Sequence, residues 1–187
     1  MMKHSEKYNA EWYNSRAWAD PGSYNVDRYR ELWSLIYEQA KGAESVLDLG
    51  CGNGTMLGEW PEPKPKIRFG VDFSERAIQY AAEKYPLNVW MCKTFQELME
   101  GRSTNRFDVV ILCEVLEHVE FDRQLFAWAC DAAKQKVIVS VPNGDRCPGT
   151  SHTATRYEAS TVSERFGASL GIVSEPDSQF LVFIRKV

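Results

Sequence analysis

Two short runs hold the residues best suited to chemistry. The first is Asp48-Leu49-Gly50-Cys51-Gly52-Asn53-Gly54, three glycines at alternate positions behind an acid. Glycine has no Cβ, so such a run can turn sharply and bring its backbone close to a ligand. Further on, Phe69-Gly70-Val71-Asp72-Phe73-Ser74 puts a second acid at the tip of an expected strand. Nucleoside-binding α/β folds carry an acid about 20 residues beyond the glycine turn, where it accepts hydrogen bonds from ribose hydroxyls. Phe73 could then lie against the base. The second run is Cys113-Glu114-Val115-Leu116-Glu117-His118-Val119. On an α-helical turn Glu114, Glu117 and His118 stand at i, i+3 and i+4 and share one face. Two crowded carboxylates are costly to keep ionised unless a cation or a protonated histidine compensates. The turn therefore suits a divalent cation held by Glu114, Glu117 and His118, or a general base, His118, oriented by Glu117 or Glu114. Each group also has a purely structural reading: a glycine turn beside a buried Asp, a capping Asp72, and a histidine bonded to a neighbouring loop.

These residues need a scaffold that brings strand ends together. Residues 26–40 carry a helical stripe of Tyr29, Leu32, Trp33, Ile36, Tyr37 and Ala40, closed by Lys41-Gly42. Ser45–Leu49 reads as a buried strand running into the glycine turn. Ile67–Asp72 is a second strand, and Ser74 is suited to cap a helix over Glu75–Lys84. A third strand over 87–92 precedes a short helix at Phe95–Glu100. Phe107–Cys113 is almost wholly apolar, as a strand covered on both faces should be. A helix at 122–134 and a strand at 136–141 follow, the latter stopped by Pro142-Asn143-Gly144. A helix at 158–168 leads to strands at 171–174 and 180–187, joined by Glu175-Pro176-Asp177-Ser178, too short for a crossover helix. Those two strands must form an antiparallel hairpin. The expected architecture is α/β: a doubly wound, mostly parallel seven-stranded sheet with an antiparallel C-terminal strand, helices on both faces and an N-terminal helical lid.

The Gly-x-Gly-x-Gly spacing behind Asp48, Asp72 on the second strand and the closing hairpin together resemble the class I S-adenosylmethionine-dependent methyltransferases. The resemblance runs from about Ser45 onward. It implies S-adenosylmethionine as cofactor and S-adenosylhomocysteine as product, held by Asp48, Gly50, Cys51, Gly52, Gly54, Asp72, Phe73, Thr94, Phe95 and Cys113. Asp48 would hold the loop backbone and, through water, the ammonium of the methionine portion. Many relatives carry an acid after the third strand for the adenine amino group. Here that region reads Met91-Cys92-Lys93-Thr94-Phe95, so adenine recognition passes to backbone groups, Thr94 or water. The Glu114-x-x-Glu117-His118 turn is similar to that of ubiquinone-pathway O-methyltransferases and small-RNA 2′-O-methyltransferases, where it is associated with a divalent cation. His152 stands where the RNA enzymes have a further histidine, which implies a metal set of Glu114, Glu117, His118 and His152.

Composition narrows the partners. The chain has 187 residues, a formal net charge of −4 and no basic stripe for nucleic acid. No apolar run approaches the roughly 20 residues of a membrane span, and the polar, aromatic-rich start is unlike a secretory signal. Five cysteines without a CxxC pair point to reduced thiols in the cytoplasm. Cys51, Cys92 and Cys113, at neighbouring strand ends, read as small buried residues. Trp12, Tyr13, Trp18, Tyr24 and Tyr29 could cover cofactor and substrate, with Tyr24 or Arg28 near the methionine carboxylate, or simply pack a helix. The expectation is one domain, with residues 1–42 a helical segment and 43–187 the catalytic core. Its function would be methylation of a small molecule at oxygen. RNA or nucleotide methylation with a metal, and a silent binding module, are the rivals.

Overall fold

The computed structural model describes residues 26–101, 106–144, 157–167 and 170–187. Trp12, Tyr13, Trp18, Tyr24, Cys147 and His152 lie outside these residues, as does the side chain of Arg28. The chain divides into two compact units, residues 1–98 and 99–187. Seven strands, β1 to β7 in chain order, run β3-β2-β1 in the first unit and β4-β5-β7-β6 in the second. That order, ending in antiparallel strands, is the architecture expected from the sequence.

In the first unit, helix α1 (Val26–Gln39) buries Leu32, Trp33 and Ile36, the stripe predicted by its 3.6-residue period. The Tyr37 hydroxyl donates to the Met56 carbonyl at 2.8 Å, and its ring lies 4.6 Å from that of Trp60. Strand β1 (Ser45–Leu49) is buried along its whole length. The short helix α2 (Thr55–Gly58) follows the glycine turn, and β2 (Ile67–Asp72) pairs with β1 in parallel, Leu49 opposite Val71. Helix α3 (Glu75–Lys84) starts where expected: the Ser74 hydroxyl accepts from the Ala77 N–H at 3.2 Å. Strand β3 (Val89–Cys92) pairs with β2 on one side and forms an edge of the sheet. Cys92 is consequently exposed, which corrects the expectation that it is buried. Helix α4 (Phe95–Glu100) follows.

The second unit is built on β4 (Phe107–Cys113) and β5 (Ala133–Pro142), which pair in parallel. Between them come a 3-10 turn at Leu116–His118 and helix α5 (Asp122–Ala132). The helix stops sooner than its apolar pattern suggests, because Ala133 is already extended and begins β5. Helix α6 (Ala159–Phe166), β6 (Leu170–Ile172) and β7 (Phe180–Lys186) complete the unit. Strand β7 runs antiparallel to both β5 and β6, and so lies between them. Phe126, Phe166 and Phe183 pack together, with ring centroids 4.8 to 6.3 Å apart. No helix among the described residues is long and apolar enough to cross a membrane.

Candidate active site

The glycine turn is shaped by backbone that few other residues could adopt. Gly50, Gly52 and Gly54 have φ of 81°, 53° and 75°, in the left-handed region that glycine occupies without a Cβ clash. The turn is fastened to the end of β2. The N–H groups of Gly50 and Cys51 both donate to the Val71 carbonyl, at 2.7 and 3.0 Å. Gly52 N–H donates to Asp72 Oδ2 at 2.9 Å, and Ser74 N–H to Asp72 Oδ1 at the same distance. Asp72 is thus first of all a clasp for the loop, a role the sequence reading did not assign. A carboxylate offers about four acceptor positions, so bonding to the loop leaves capacity for a further donor.

Trp90 is the residue missed in this unit. A Cβ on Gly54 would meet its ring at 2.5 Å, and one on Gly70 would meet it at the same distance. Two of the glycines near the loop are therefore required by an indole packed against them. Nothing in the local pattern around Trp90 announces this.

Burial sets the electrostatics. Asp48 and Asp72 are each only 2% exposed. Burial, and secondarily the charge of Asp72, pushes the Asp48 carboxyl up to about 8. Burial raises Asp72 to about 6, while hydrogen bonds from Ser74, Gly52 and Phe73 N–H groups hold it down. The Cys51 thiol is pushed well above its usual range by burial and then by the two aspartates, so it is no nucleophile. Asp48 Oδ1 is buried without a hydrogen-bond partner among the described residues. A buried acceptor of this kind, beside a second carboxylate and a left-handed glycine turn, fits a ligand that brings a cation and hydroxyl donors. The residues present therefore suit S-adenosylmethionine.

Beyond β3, the Thr94 hydroxyl and N–H both donate to Glu97 Oε2 at 2.8 Å, and the hydroxyl accepts from Glu97 N–H at 3.2 Å. This is a capping box that opens α4. Thr94 is one of three expected candidates for adenine, beside backbone groups and water, and here both its donors go to Glu97. Phe95 is half-buried behind it, and Phe73 is half-buried after β2.

In the second unit the acidic-His run does not form the expected face. Glu114 has φ of 58°, a left-handed conformation, and Leu116–His118 is a 3-10 rather than an α-helical turn. The i, i+3, i+4 spacing holds only for 3.6 residues per turn. Glu114 turns instead to β5, where its Oε1 accepts from the Ser140 hydroxyl at 2.9 Å. Its own N–H donates to the Ser140 carbonyl at 3.0 Å. The same hydroxyl lies 3.5 Å from Cys113 Sγ. Glu117 and His118 do come together, Oε1 to Nε2 at 3.6 Å, with Glu117 1% and His118 28% exposed. Among the described residues no group of three or more His, Cys, Asp and Glu side chains is placed to hold a metal ion. The histidine expected to complete such a set, His152, is outside them.

Comparison with known proteins accords with this geometry. Residues 40–167 match a family described as a methyltransferase domain. The ubiquinone biosynthesis O-methyltransferase of Coxiella burnetii is 40% identical over 78 residues, covering 40% of this chain and 32% of the relative. The tRNA N(3)-cytidine methyltransferase METTL6 of Homo sapiens is 34% identical over 86 residues, covering 42% and 30%. The chain thus matches about a third of the length of these curated relatives. Among solved structures, the N-methyltransferase NodS of Bradyrhizobium japonicum WM9, crystallised with S-adenosylhomocysteine, superposes with a TM-score of 0.74 at 18% identity, covering 96% of this chain and 98% of that one. With a family match across more than half of its length, the chain belongs to the methyltransferase domain family.

Proposed function

We propose that this protein transfers a methyl group from S-adenosylmethionine to an oxygen of a small-molecule acceptor. The observation that carries the cofactor reading is the buried Asp48 carboxyl, with one oxygen lacking a partner, behind a left-handed glycine turn clasped by Asp72. When bound, S-adenosylmethionine supplies an activated methyl carbon, so the protein has chiefly to align, desolvate and move one proton. Asp48 would offset the ligand's ammonium. Asp72 would use its remaining acceptor capacity on a ribose hydroxyl while keeping the loop in place. A hydroxyl acceptor must lose its proton, and His118, partly exposed and backed by the buried Glu117 carboxylate, is the group suited to take it.

Oxygen is preferred over nitrogen because of this base and because of the likeness to the Coxiella burnetii O-methyltransferase. The likeness to METTL6 supports a second reading, methylation of an RNA base. The test is methyl transfer from radiolabelled S-adenosylmethionine to a panel of phenols and catechols, with total tRNA in parallel. Label on a phenolic oxygen supports the first reading, and label on tRNA alone overturns it. His118→Ala should lower turnover of a phenol about a hundredfold or more. Near wild-type turnover in that variant removes His118 from the chemistry. EDTA separates a bare histidine base from a metal-held acceptor.

A further inference from the structure

The Glu117–His118 turn is fastened from a distant part of its own unit. Tyr157, just ahead of α6, is 1% exposed, and its ring stacks on Phe166 at 5.9 Å. The hydroxyl lies 2.5 Å from Asp122 Oδ2 and 3.2 Å from the carbonyl oxygen of Leu116. Asp122, the first residue of α5, is also held by Arg165 of α6 through two bonds, Nε to Oδ2 at 2.5 Å and Nη2 to Oδ1 at 2.8 Å. Tyr157 and Arg165 stand 35 and 43 residues from Asp122 in the chain. None of the three takes part in the proposed methyl transfer.

We infer that Tyr157, Asp122 and Arg165 are positioning residues that set the orientation of Glu117 and His118. The Leu116 carbonyl belongs to the peptide that joins Leu116 to Glu117, and a peptide is planar. Fixing that oxygen fixes the plane from which the Glu117 backbone departs. The same oxygen accepts the Val119 N–H at 3.3 Å, and the His118 N–H donates to the Val115 carbonyl at 3.0 Å. Tyr157 therefore acts on a carbonyl that also closes the 3-10 turn carrying the proposed base.

The charge arrangement explains why three residues are needed. A phenol has one proton, and here it faces two acceptors, a carboxylate and a carbonyl. The shorter contact, to Asp122 Oδ2, takes the larger share of that proton, because charge-assisted bonds are the stronger ones, and it holds the phenol oxygen against the Leu116 carbonyl. The guanidinium of Arg165 in turn fixes Asp122. Removing Arg165 should accordingly loosen the turn in the same sense as removing the Tyr157 hydroxyl.

This inference rests on the proposed role of His118, and its test separates the two. The chain has three histidines, so ring resonances in a carbon–proton spectrum are few and His118→Ala assigns the relevant one. Tyr157→Phe keeps the ring and the Asp122–Arg165 pair. It should shift the His118 resonance at fixed pH and lower kcat for a phenolic acceptor about ten- to a hundredfold, leaving KM for S-adenosylmethionine unchanged. Arg165→Met should shift the resonance in the same direction, and Arg165→Lys should return it most of the way. A lowered melting temperature with an unmoved His118 resonance in both Tyr157→Phe and Arg165→Met overturns the inference and leaves a simple brace. If no phenol is methylated, the acceptor reading fails, yet the resonance still decides the positioning.

Discussion

The glycine turn of residues 50–54 is pinned chiefly by the end of the next strand, 20 residues on, whereas the Glu117–His118 turn is pinned by residues from the far end of its unit. Gly52 and Asp72 are 20 residues apart, and Asp72 and Ser74 only two. In the other region Glu114 is met by Ser140 at a separation of 26, and Leu116 by Tyr157 at 41. One cluster declares its backbone through glycines that few other residues could replace. The other is built of ordinary residues that more distant partners hold, so its spacing in the chain says little about which side chains meet.

The contrast can be broken by substitution. The largest effect should come from Gly54→Ala, whose Cβ would lie 2.5 Å from Trp90 and 2.8 Å from Ala81 at a φ of +75°. Left-handed strain and overpacking together should cost about 3–4 kcal/mol in urea unfolding. A loss below 1 kcal/mol would mean the turn is softer than its local bonding implies. Next is Asp122→Ala, which leaves Arg165 without its carboxylate and Tyr157 without its shorter acceptor. Removing one partner of a buried pair costs about 3–5 kcal/mol, and the partial exposure of Arg165 reduces this to about 2–3 kcal/mol. A neutral result would show that long-range anchoring is not what holds the second region.

A smaller effect concerns protons. The folded Asp48 carboxyl is raised from 3.8 to about 8, so across that interval the folded chain keeps a proton that the unfolded chain has lost. The contribution of this group to stability is therefore full below pH 4, falls as pH rises towards 8, and is flat above. The melting temperature of the ligand-free protein should decline between pH 5 and 8, and decline less in Asp48→Asn. Because the ionised form pairs with an ammonium, S-adenosylmethionine should release a proton on binding at pH 7. Calorimetry in buffers of different ionisation enthalpy measures it, and affinity should change by no more than about tenfold per pH unit. Equal proton release by Asp48→Asn would remove Asp48 from the ligand site. The smallest effect should be that of Ser140→Ala, at a cost of about 1 kcal/mol in unfolding. It deletes the hydroxyl's bond to Glu114 Oε1 and its share of the Glu114 N–H, an N–H that keeps the Ser140 carbonyl.

The same division explains what could be read from the sequence. Strand and helix periods and the Ser74 cap depend on residues close in the chain, the glycines announce their own turn, and each lies within a few residues of where it is expected. The antiparallel β7 was legible because Glu175-Pro176-Asp177-Ser178 is too short to cross the sheet. The Thr94–Glu97 capping box is legible in principle, since Thr and Glu stand three apart at a helix start. Glu114 could not be placed, because a left-handed residue other than glycine has no clear local signature and its partner, Ser140, is on another strand. Tyr157 and Arg165 were silent for the same reason. Each is an ordinary residue of an amphipathic helix or its approach until Asp122 is brought beside it.

The position of β7 has a kinetic consequence. It enters between β5 and β6, both of which precede it in the chain, and bonds to β5 from Lys136 opposite Lys186 to Pro142 opposite Phe180. Until it arrives, β5 presents a long, apolar row of unpaired N–H and C=O groups, the kind of edge that templates pairing with other chains. Refolding of the second unit should therefore be limited by a non-local strand insertion. Its yield should fall with protein concentration, and the β5 segment 137–141, all of it buried in the native sheet, is where self-association should begin.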